Sequence, residues 1–297
     1  MLPRIVIGIP TFNRAQILRR AIDSALSQDY PNLRIVISDN ASTDETALVI
    51  KSYIAADSRV TSYRHPVNVG ATRNFAELLE RATGELFMWL ADDDWLEPGY
   101  VSRCARSLAE QRDAVLVGGV AKYYQEGVFK RTGKPTDCPS NDARQRVLSY
   151  YRQVDDNGIF YGLMRRDAAV RAGVVNCLGG DWLFVAAIAY QGRVLTHPDA
   201  VLNRSLGGTS ESASTMTAML NLPAWQARIP ITLPLAGNAA KDILVRSPVY
   251  RDMGTLERLL FSALVFCWLS ALKPVQEFRR RLGPRASTSG LLSEGEK

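Results

Sequence analysis

The sequence predicts an α/β fold whose sheet is mostly parallel and flanked by helices. Apolar, β-branched runs alternate with segments of helical periodicity between residues 5 and 119. This alternation is typical of βαβ units, in which a helix connects two parallel neighbouring strands. One buried strand ends in the carboxylates Asp92, Asp93 and Asp94, at the kind of strand end where open α/β sheets bind ligands.

The first half of the predicted domain consists of short apolar strands and amphipathic helices. The first strand is rich in Ile and Val, and apolar residues then recur every three or four positions up to Leu26. Turn residues precede the second helix, with Ser42 or Thr43 expected as its N-cap. The predicted strands are 5–10, 33–39, 59–63, 85–90 and 115–119, and the predicted helices are 15–26, 46–55, 72–82 and 98–111.

The second half has a looser pattern. Residues 121–141 look hairpin-like and polar, and Gly179-Gly180-Asp181-Trp182 opens a helix that Gly192 closes. The segment 205–217 is rich in Gly, Ser and Thr, which predicts a flexible loop. Further predicted elements are helices 143–153, 166–172 and 180–190, and strands 157–163, 194–195 and 200–202. The predicted organisation is a domain over 1–204 with halves 1–119 and 120–204, the loop 205–217, a helical region 218–282 and a disordered tail 283–297.

The helical region contains an apolar segment, 256–272, that ends before Pro274 and precedes Arg279-Arg280-Arg281. A bilayer needs about 20 apolar residues, so this segment is short for a comfortable span. Peripheral membrane contact helped by the arginines, a homodimer contact through 256–282 and packing on the domain all remain open.

Composition narrows the class of protein. The four cysteines have no CxxC spacing, which argues against zinc and disulfides and favours a reducing, cytoplasmic compartment. No signal peptide is expected before the first strand. The net charge of +6 comes partly from late arginine clusters, so we expect a basic tail and no nucleic-acid partner.

Three adjacent carboxylates repel one another and raise one another's pKa unless a cation is present. Hard oxygen ligands suit Mg²⁺ or Mn²⁺, ions that commonly share their coordination with substrate phosphates. The alternative is that Asp94 caps the following helix while Asp92 and Asp93 are only solvated.

Four motifs follow successive strands in order, and together they resemble the family 2 glycosyltransferases, which have the Rossmann-like GT-A fold. The resemblance covers about the first 200 residues, and Ala91 stands where the common pattern has another aspartate. It implies a nucleotide-sugar-binding half, 1–119, and an acceptor half, 120–204. The motifs are Pro10-Thr11-Phe12-Asn13-Arg14, Asp39-Asn40-Ala41-Ser42-Thr43-Asp44, Asn68-Val69-Gly70-Ala71-Thr72-Arg73-Asn74 and Ala91-Asp92-Asp93-Asp94.

The resemblance assigns roles to these motifs. The first loop and Asp39 are expected to hold the nucleotide base, and the Asn-x-Gly loop with Arg73 is expected near the ribose and phosphates. Asp93 matches the metal ligand, and Asp92 matches its partner toward the ribose. Taken singly, each residue could instead be a turn residue or a surface charge. The implied nucleotide-binding set is Pro10, Thr11, Asn13, Arg14, Asp39, Asn68, Gly70, Arg73 and Asp92, with Asp93 and Asp92 on Mn²⁺ or Mg²⁺.

The resemblance also implies an inverting transfer of a hexosyl group from a nucleoside-diphosphate sugar to a glycan or lipid-linked acceptor, as in bacterial surface polysaccharide synthesis. Asp181 is the expected catalytic base, although it could be only an N-cap, and Asp155 and Asp156 are rivals. A non-catalytic sugar-nucleotide or glycan-binding protein of the same fold is the alternative. A dinucleotide oxidoreductase would need G-x-G-x-x-G after the first strand, and a nucleotidyltransferase an early glycine-rich loop; the sequence has neither.

Overall fold

The structure, a computed structural model, describes residues 2–207 and 213–274, and a mixed sheet forms its centre. Within these residues the sheet has nine strands in the order β3-β2-β1-β4-β8-β6-β9-β5, with β7 paired to β6. The strands are β1 (Ile5–Thr11), β2 (Leu33–Asp39), β3 (Val60–Arg64), β4 (Leu86–Trp89), β5 (Trp95–Leu96), β6 (Ala114–Gln125), β7 (Val128–Thr132), β8 (Leu163–Arg165) and β9 (Arg193–Ser205).

Helices cover both faces of this sheet, as the sequence predicts. They are α1 (Leu18–Leu26), α2 (Thr46–Ala56), α3 (Ala71–Arg81), α4 (Tyr100–Glu110), α5 (Ala143–Gln153), α6 (Arg166–Ala172), α7 (Gly180–Gln191), α8 (Ala213–Met219), α9 (Thr232–Lys241) and α10 (Thr255–Cys267). Short 3₁₀ segments at Gly158–Tyr161, Ala224–Ala227 and Pro248–Tyr250 and π-helical turns at Asp242–Arg246 and Trp268–Leu272 complete the described elements.

Parallel pairing in the first half brings the ends of the strands to one edge of the sheet. Strand β1 pairs in parallel with both β2 and β4, and β2 pairs in parallel with β3. The register sets Thr11 beside Asp39 and Asp39 beside Arg64. The antiparallel β8 then joins β4 to β6, so the sheet is mixed beyond this point.

The side chains of the central strands alternate between two apolar cores, one on each face of the sheet. Ile5, Ile7 and Ile9 pack with α1 on one face, whereas Phe87 and Trp89 pack with α5 and α7 on the other. A fully buried side chain of this size contributes about 1.5–3 kcal/mol. The two cores therefore make the sheet edge a rigid platform for the loops that follow it.

Four predicted segments differ in the structure. The strand expected over 157–163 is a 3₁₀ turn followed by β8, because Asn157 has a left-handed backbone with φ of 49°. The short strands 194–195 and 200–202 are parts of β9, whose pairing with β6 is interrupted by a bulge after His197. Helix α8 occupies part of the predicted loop 205–217, and the buried Thr217 shows that packing overrides its loop-like composition.

The predicted caps also differ. Helix α2 starts after Glu45, and the Asp44 carboxylate accepts from the Thr46 amide, so neither Ser42 nor Thr43 is its N-cap. Helix α4 starts after Gly99, which places Asp94 outside it. The predicted domain boundaries stay predictions. Residues 275–282 of the helical region and the tail 283–297 lie outside the described residues.

In the described part of the chain, one helical segment, Thr255–Leu272, is long and apolar enough to cross a membrane by length and composition. One such segment is weak evidence for a span, because core helices pass the same test. Here Phe261, Val265 and Leu269 are buried in the core, whereas Leu256 and Leu260 are exposed. The segment therefore packs on the domain along one face only.

Candidate active site

A cleft of about 410 Å³ opens where β1 and β4 end and faces the start of α7. It brings together residues from both halves of the chain, and its charged lining residues are Arg14, Asp92, Asp93, Asp156, Asp181 and Arg204. Pro10 also lines it, whereas Thr11 and Asp39 lie at the sheet edge where β1 and β2 end. The carboxylates predicted for the metal and for the base thus share one cleft.

The loop after β1 is tied to the loop after β2. The Asn13 amide donates to Ser42 Oγ at 2.9 Å, and Asn13 Oδ1 accepts from the Thr43 amide at 2.7 Å. The Arg14 amide donates to Thr46 Oγ1 at 3.0 Å. The Asn13 side chain therefore acts within the loop, and its backbone holds Arg14 at the mouth of the cleft.

Asp39 is buried and only partly satisfied. Its Oδ1 accepts from the Ser42 amide at 2.8 Å, and its Oδ2 lies 3.2 Å from Arg64 Nη1. Within the described residues Oδ2 accepts no hydrogen bond, and its ion pair with the half-exposed Arg64 leaves it able to accept one from a polar ligand edge.

The Asn-x-Gly loop is held by side-chain amides and borders a second groove. Asn40 donates to Asn68 Oδ1 at 2.9 Å and accepts from the Val69 amide at 2.8 Å, while Gly70 takes a φ of 83° that suits glycine. Arg73 pairs with Glu77 along α3. Asn68, Gly70 and Arg73 line this groove of about 690 Å³, which adjoins the cleft.

The three consecutive carboxylates have different environments. Asp94 is buried and accepts from Arg204 Nε at 3.1 Å and from the Ser205 amide at 3.0 Å, so it joins β9 to this loop. Asp92 and Asp93 face the cleft. Burial, together with the Asp93 and Asp94 carboxylates, raises the pKa of Asp92 to about 7. A cation near Asp92 would stabilise the ionised carboxylate and lower its pKa.

Asp92 and Asp93 fit a divalent ion that shares its ligands with a substrate. In the described part of the chain, His, Cys, Asp and Glu do not form a group of three able to hold a metal. Mg²⁺ and Mn²⁺ accept one or two carboxylates when phosphate oxygens and water complete the coordination. The donor set therefore suits an ion bound together with a diphosphate.

Asp181 lies in the first turn of α7 and faces the cleft. Gly179 is the N-cap residue of this helix, so Asp181 is not the N-cap. Its Oδ2 accepts from Asn157 Nδ2 at 2.8 Å. The Asp181 side chain is exposed to the cleft, while the protein around it desolvates the carboxylate and raises its pKa, and the Asn157 hydrogen bond acts in the opposite direction. A carboxylate with a raised pKa is suited to accepting a proton.

The rival carboxylates are placed differently. Asp156 lines the cleft, yet its Oδ2 lies 2.8 Å from Arg131 Nη1, and its Oδ1 accepts from the Gly158 amide. Asp155 is exposed and pairs with Lys134 at 3.6 Å. Of the three carboxylates, Asp181 thus faces the cleft without an ion-pair partner among the described residues.

Two functional groups were missed in the sequence. Asn157 contacts Asp181 because a turn, rather than the predicted strand, carries it; the run Asp155-Asp156-Asn157-Gly158 is a turn signature that could have indicated this. Arg204 brings a guanidinium into the cleft from the end of β9. A lone arginine after an apolar strand run offers no comparable sequence signal.

Residues 6–178 match glycosyl transferase family 2. Because the match covers more than half of the chain, this chain belongs to that family, and the resemblance drawn from the four motifs is confirmed.

Among curated proteins, the GalNAc(5)-diNAcBac-PP-undecaprenol beta-1,3-glucosyltransferase of Campylobacter jejuni is 34% identical over 102 residues, which are 34% of this chain and 33% of that protein. Glycosyltransferase GlyA of Streptococcus pneumoniae is 30% identical over 129 residues, 42% of this chain and 18% of that protein. The chain thus spans about a third or less of the length of these two relatives.

Two solved structures share the fold. The complex of S. aureus TarS 1–349 with UDP-GlcNAc has a TM-score of 0.63 at 14% identity, covering 93% of this chain and 73% of that chain. The mannosyltransferase PcManGT from Pyrobaculum calidifontis, in complex with GDP-Man and Mn²⁺, has a TM-score of 0.56 at 18% identity, covering 96% and 77%. These likenesses confirm the predicted GT-A fold.

Proposed function

We propose that this protein is an inverting glycosyltransferase that moves a sugar from a nucleoside-diphosphate sugar to a hydroxyl acceptor. The observation that carries this proposal is the single cleft that Asp92, Asp93 and Asp181 share. Membership of glycosyl transferase family 2 supports the same reaction class. The described site contains both a carboxylate pair for a diphosphate-bound ion and a separate carboxylate for proton transfer.

In the proposed reaction Asp181 removes the proton from the acceptor hydroxyl while that oxygen attacks the anomeric carbon of the donor sugar. The bond between that carbon and the diphosphate breaks, and the configuration inverts. The raised pKa of Asp181 suits this proton transfer, which is worth about 10²- to 10⁴-fold in rate. The Arg14 and Arg204 guanidinium groups face the same cleft and favour a negatively charged leaving group.

Asp92 and Asp93 would hold a Mn²⁺ or Mg²⁺ ion, which would supply positive charge to the departing diphosphate. The PcManGT structure, in complex with GDP-Man and Mn²⁺, shares the fold and supports the use of a divalent ion. At the nucleobase of the donor, Asp39 Oδ2 would accept a hydrogen bond from a ring N–H such as that of uracil, thymine or guanine, because Oδ2 has no hydrogen-bond partner among the described residues. Pro10, Thr11, Asn13 and Arg14 would shape the base pocket, with Asn68, Gly70 and Arg73 at its ribose side.

We propose a glycan or lipid-linked acceptor in cytoplasmic synthesis of a surface polysaccharide or glycolipid. The Campylobacter relative is named for an undecaprenol-linked acceptor, which supports the lipid-linked class. Three of the described cysteines are buried free thiols and a fourth is an exposed one, as a reducing compartment allows.

The face of α10 that is exposed in the described part of the chain supports contact with a lipid surface. Leu256, Leu259, Leu260 and Leu264 are at least half exposed and recur at helical spacing, whereas the opposite face packs in the core. The sequence continues to Arg279-Arg280-Arg281, whose charge complements anionic lipid headgroups. We therefore propose that α10 lies in the interface of an anionic membrane.

Vesicle sedimentation tests the lipid contact. We expect binding to vesicles of phosphatidylcholine with phosphatidylglycerol and weak binding to phosphatidylcholine alone. The double variant L260E/L264E should lose binding, while Val128→Glu, which changes an exposed apolar residue of β7, should keep it. A concentration-dependent dimer that L260E/L264E abolishes, without vesicle binding, would replace the membrane with a second copy of the chain.

The reaction is tested first by screening nucleotide sugars with Mn²⁺ for thermal stabilisation, because a bound donor raises Tm by mass action. The stabilising donor is then assayed for hydrolysis and for transfer to acceptors. Asp181→Asn should keep donor binding and lose about 10²-fold or more in turnover. Stabilisation by a donor without hydrolysis or transfer would instead support a binding protein of the same fold.

A further inference from the structure

Asp181 is the end of a hydrogen-bonded chain that starts in the core. The Tyr150 hydroxyl donates to Asn157 Oδ1 at 2.8 Å, and Asn157 Nδ2 donates to Asp181 Oδ2 at 2.8 Å. Tyr150 is fully buried and Asn157 nearly so. The order of donors is fixed because an ionised carboxylate only accepts, so the amide nitrogen faces Asp181 and the amide oxygen accepts from the Tyr150 hydroxyl.

The backbone supports the same arrangement. Asn157 takes a φ of 49°, a left-handed conformation that asparagine tolerates better than most residues. It precedes the 3₁₀ turn Gly158–Tyr161, whose Phe160 ring stacks on Trp89 at 4.9 Å between centroids. The turn is therefore anchored in the core, and the Asn157 amide cannot easily follow movements of the carboxylate.

We propose that Asn157, held by Tyr150, is a positioning residue for Asp181. This inference rests on the proposed role of Asp181 as the base. Asn157 fixes the rotamer of the carboxylate, which lines the cleft that an acceptor hydroxyl would enter. Its hydrogen bond also favours the ionised carboxylate, so it keeps Asp181 deprotonated at a lower pH than burial alone would allow.

The test compares pH profiles of kcat for the wild type, N157G and Y150F. N157G keeps a backbone that accepts positive φ and removes the amide. We expect the acidic limb of the N157G profile to move to higher pH and the kcat of this variant to fall on the order of 10- to 100-fold, as for a misplaced catalytic group. Y150F should shift the limb in the same direction by less. Donor Kd should stay within about twofold in both variants.

Asp181→Asn, measured beside these variants, separates the two proposals. If D181N is inactive while N157G has the kcat and the acidic limb of the wild type, Asn157 has no positioning role and the base assignment stands. If D181N itself retains its rate, the base assignment fails. If N157G has both a lower Tm and weaker donor binding, Y150F decides between the outcomes. A folded Y150F whose kcat profile keeps the acidic limb of the wild type overturns the proposal, and a shifted acidic limb supports it.

Discussion

Arg204 donates from Nε to the Asp94 carboxylate at 3.1 Å, and this pair joins residues that are 110 positions apart in the chain. Asp94 is 1% exposed and Arg204 is 21% exposed. The third carboxylate of the acidic motif is therefore paired with the guanidinium group of Arg204. It follows that Asp94 holds the loop in place, and that Asp92 and Asp93 are the carboxylates available to the proposed ion.

Removal of the Arg204 charge should destabilise the protein. Arg204→Met leaves the buried Asp94 carboxylate without its partner, which costs about 3–5 kcal/mol for a broken buried ion pair. R204M/D94N should recover part of this loss, since both charges are then absent. Urea denaturation measures the free energy of unfolding, and Arg112→Met serves as the exposed control. Equal stability of R204M and wild type would contradict the structural role of the pair.

Asp93→Ala should weaken donor binding in Mn²⁺ while leaving Tm unchanged. The Asp93 carboxylate faces the cleft, whereas its backbone carbonyl, which alanine retains, accepts from Arg20 and Ser205 at 2.7 Å. Calorimetry with and without Mn²⁺ measures the effect, and Asp155→Ala is the control for an exposed carboxylate outside the cleft. The same donor affinity with and without Mn²⁺ in the wild type would count against a metal at Asp92 and Asp93.

Asp39→Asn should lower the selectivity for the nucleotide base. Asp39 Oδ2 pairs with Arg64 but accepts no hydrogen bond within the described residues, and an amide nitrogen in its place would put a second donor against a ring N–H. The loss of a hydrogen bond to a charged group is worth about 1.5–3 kcal/mol, or about 10- to 150-fold in Kd. Kd values for UDP, GDP, dTDP and CDP measure this. A variant that prefers the same base by the same factor would exclude Asp39 from base recognition.

The sequence predicts Asp39, Asp92 and Asp93 because these groups follow strands, whereas Asp181, at the start of α7, was expected only from the family resemblance. Asp39, Asp92 and Asp93 were identifiable because a local pattern places each of them at the end of a strand, and parallel pairing then gathers those ends. Arg204 and Asn157 act through partners 110 and 24 positions away, and no local periodicity specifies such contacts. Asn157 was further hidden because an apolar run after a polar turn is typical of a strand as well as of a 3₁₀ turn.

Asp242 should make stability depend on pH. It is buried, its Oδ1 has no hydrogen-bond partner among the described residues, and burial raises its pKa to about 6 despite the nearby Arg246. The folded state thus binds this proton more tightly than the unfolded state, whose aspartates titrate near pH 3.9. Its stabilising contribution is complete below about pH 4 and is lost as pH rises through about 6.

Asp242→Asn, neutral at every pH, should therefore be more stable than the wild type at pH 7.5, by up to about 3 kcal/mol for a shift of two units. The difference should shrink as the pH falls toward 4.5. Urea denaturation at pH 4.5, 6 and 7.5 tests this, with the exposed Asp29→Asn as control. A stability difference between D242N and wild type that does not change with pH would show that Asp242 does not titrate in this range.

Lys273 should couple the packing of the C-terminal helices to the position of Asp181, the proposed catalytic base. It is buried, and its Nζ donates to the carbonyl oxygens of Tyr151 at 3.1 Å and Val154 at 2.5 Å, at the end of α5. It also lies 4.7 Å from the centroid of the Trp182 ring, and Trp182 follows Asp181. Lys273→Met keeps the aliphatic stem but leaves two carbonyls without this donor, which should cost about 1–3 kcal/mol in unfolding free energy. Because α5 ends just before Asn157 and Trp182 follows Asp181, kcat should fall while donor Kd stays unchanged. The exposed Lys241→Met is the matched control. A K273M variant with wild-type kcat and stability would show that these contacts do not couple the C-terminal helices to Asp181.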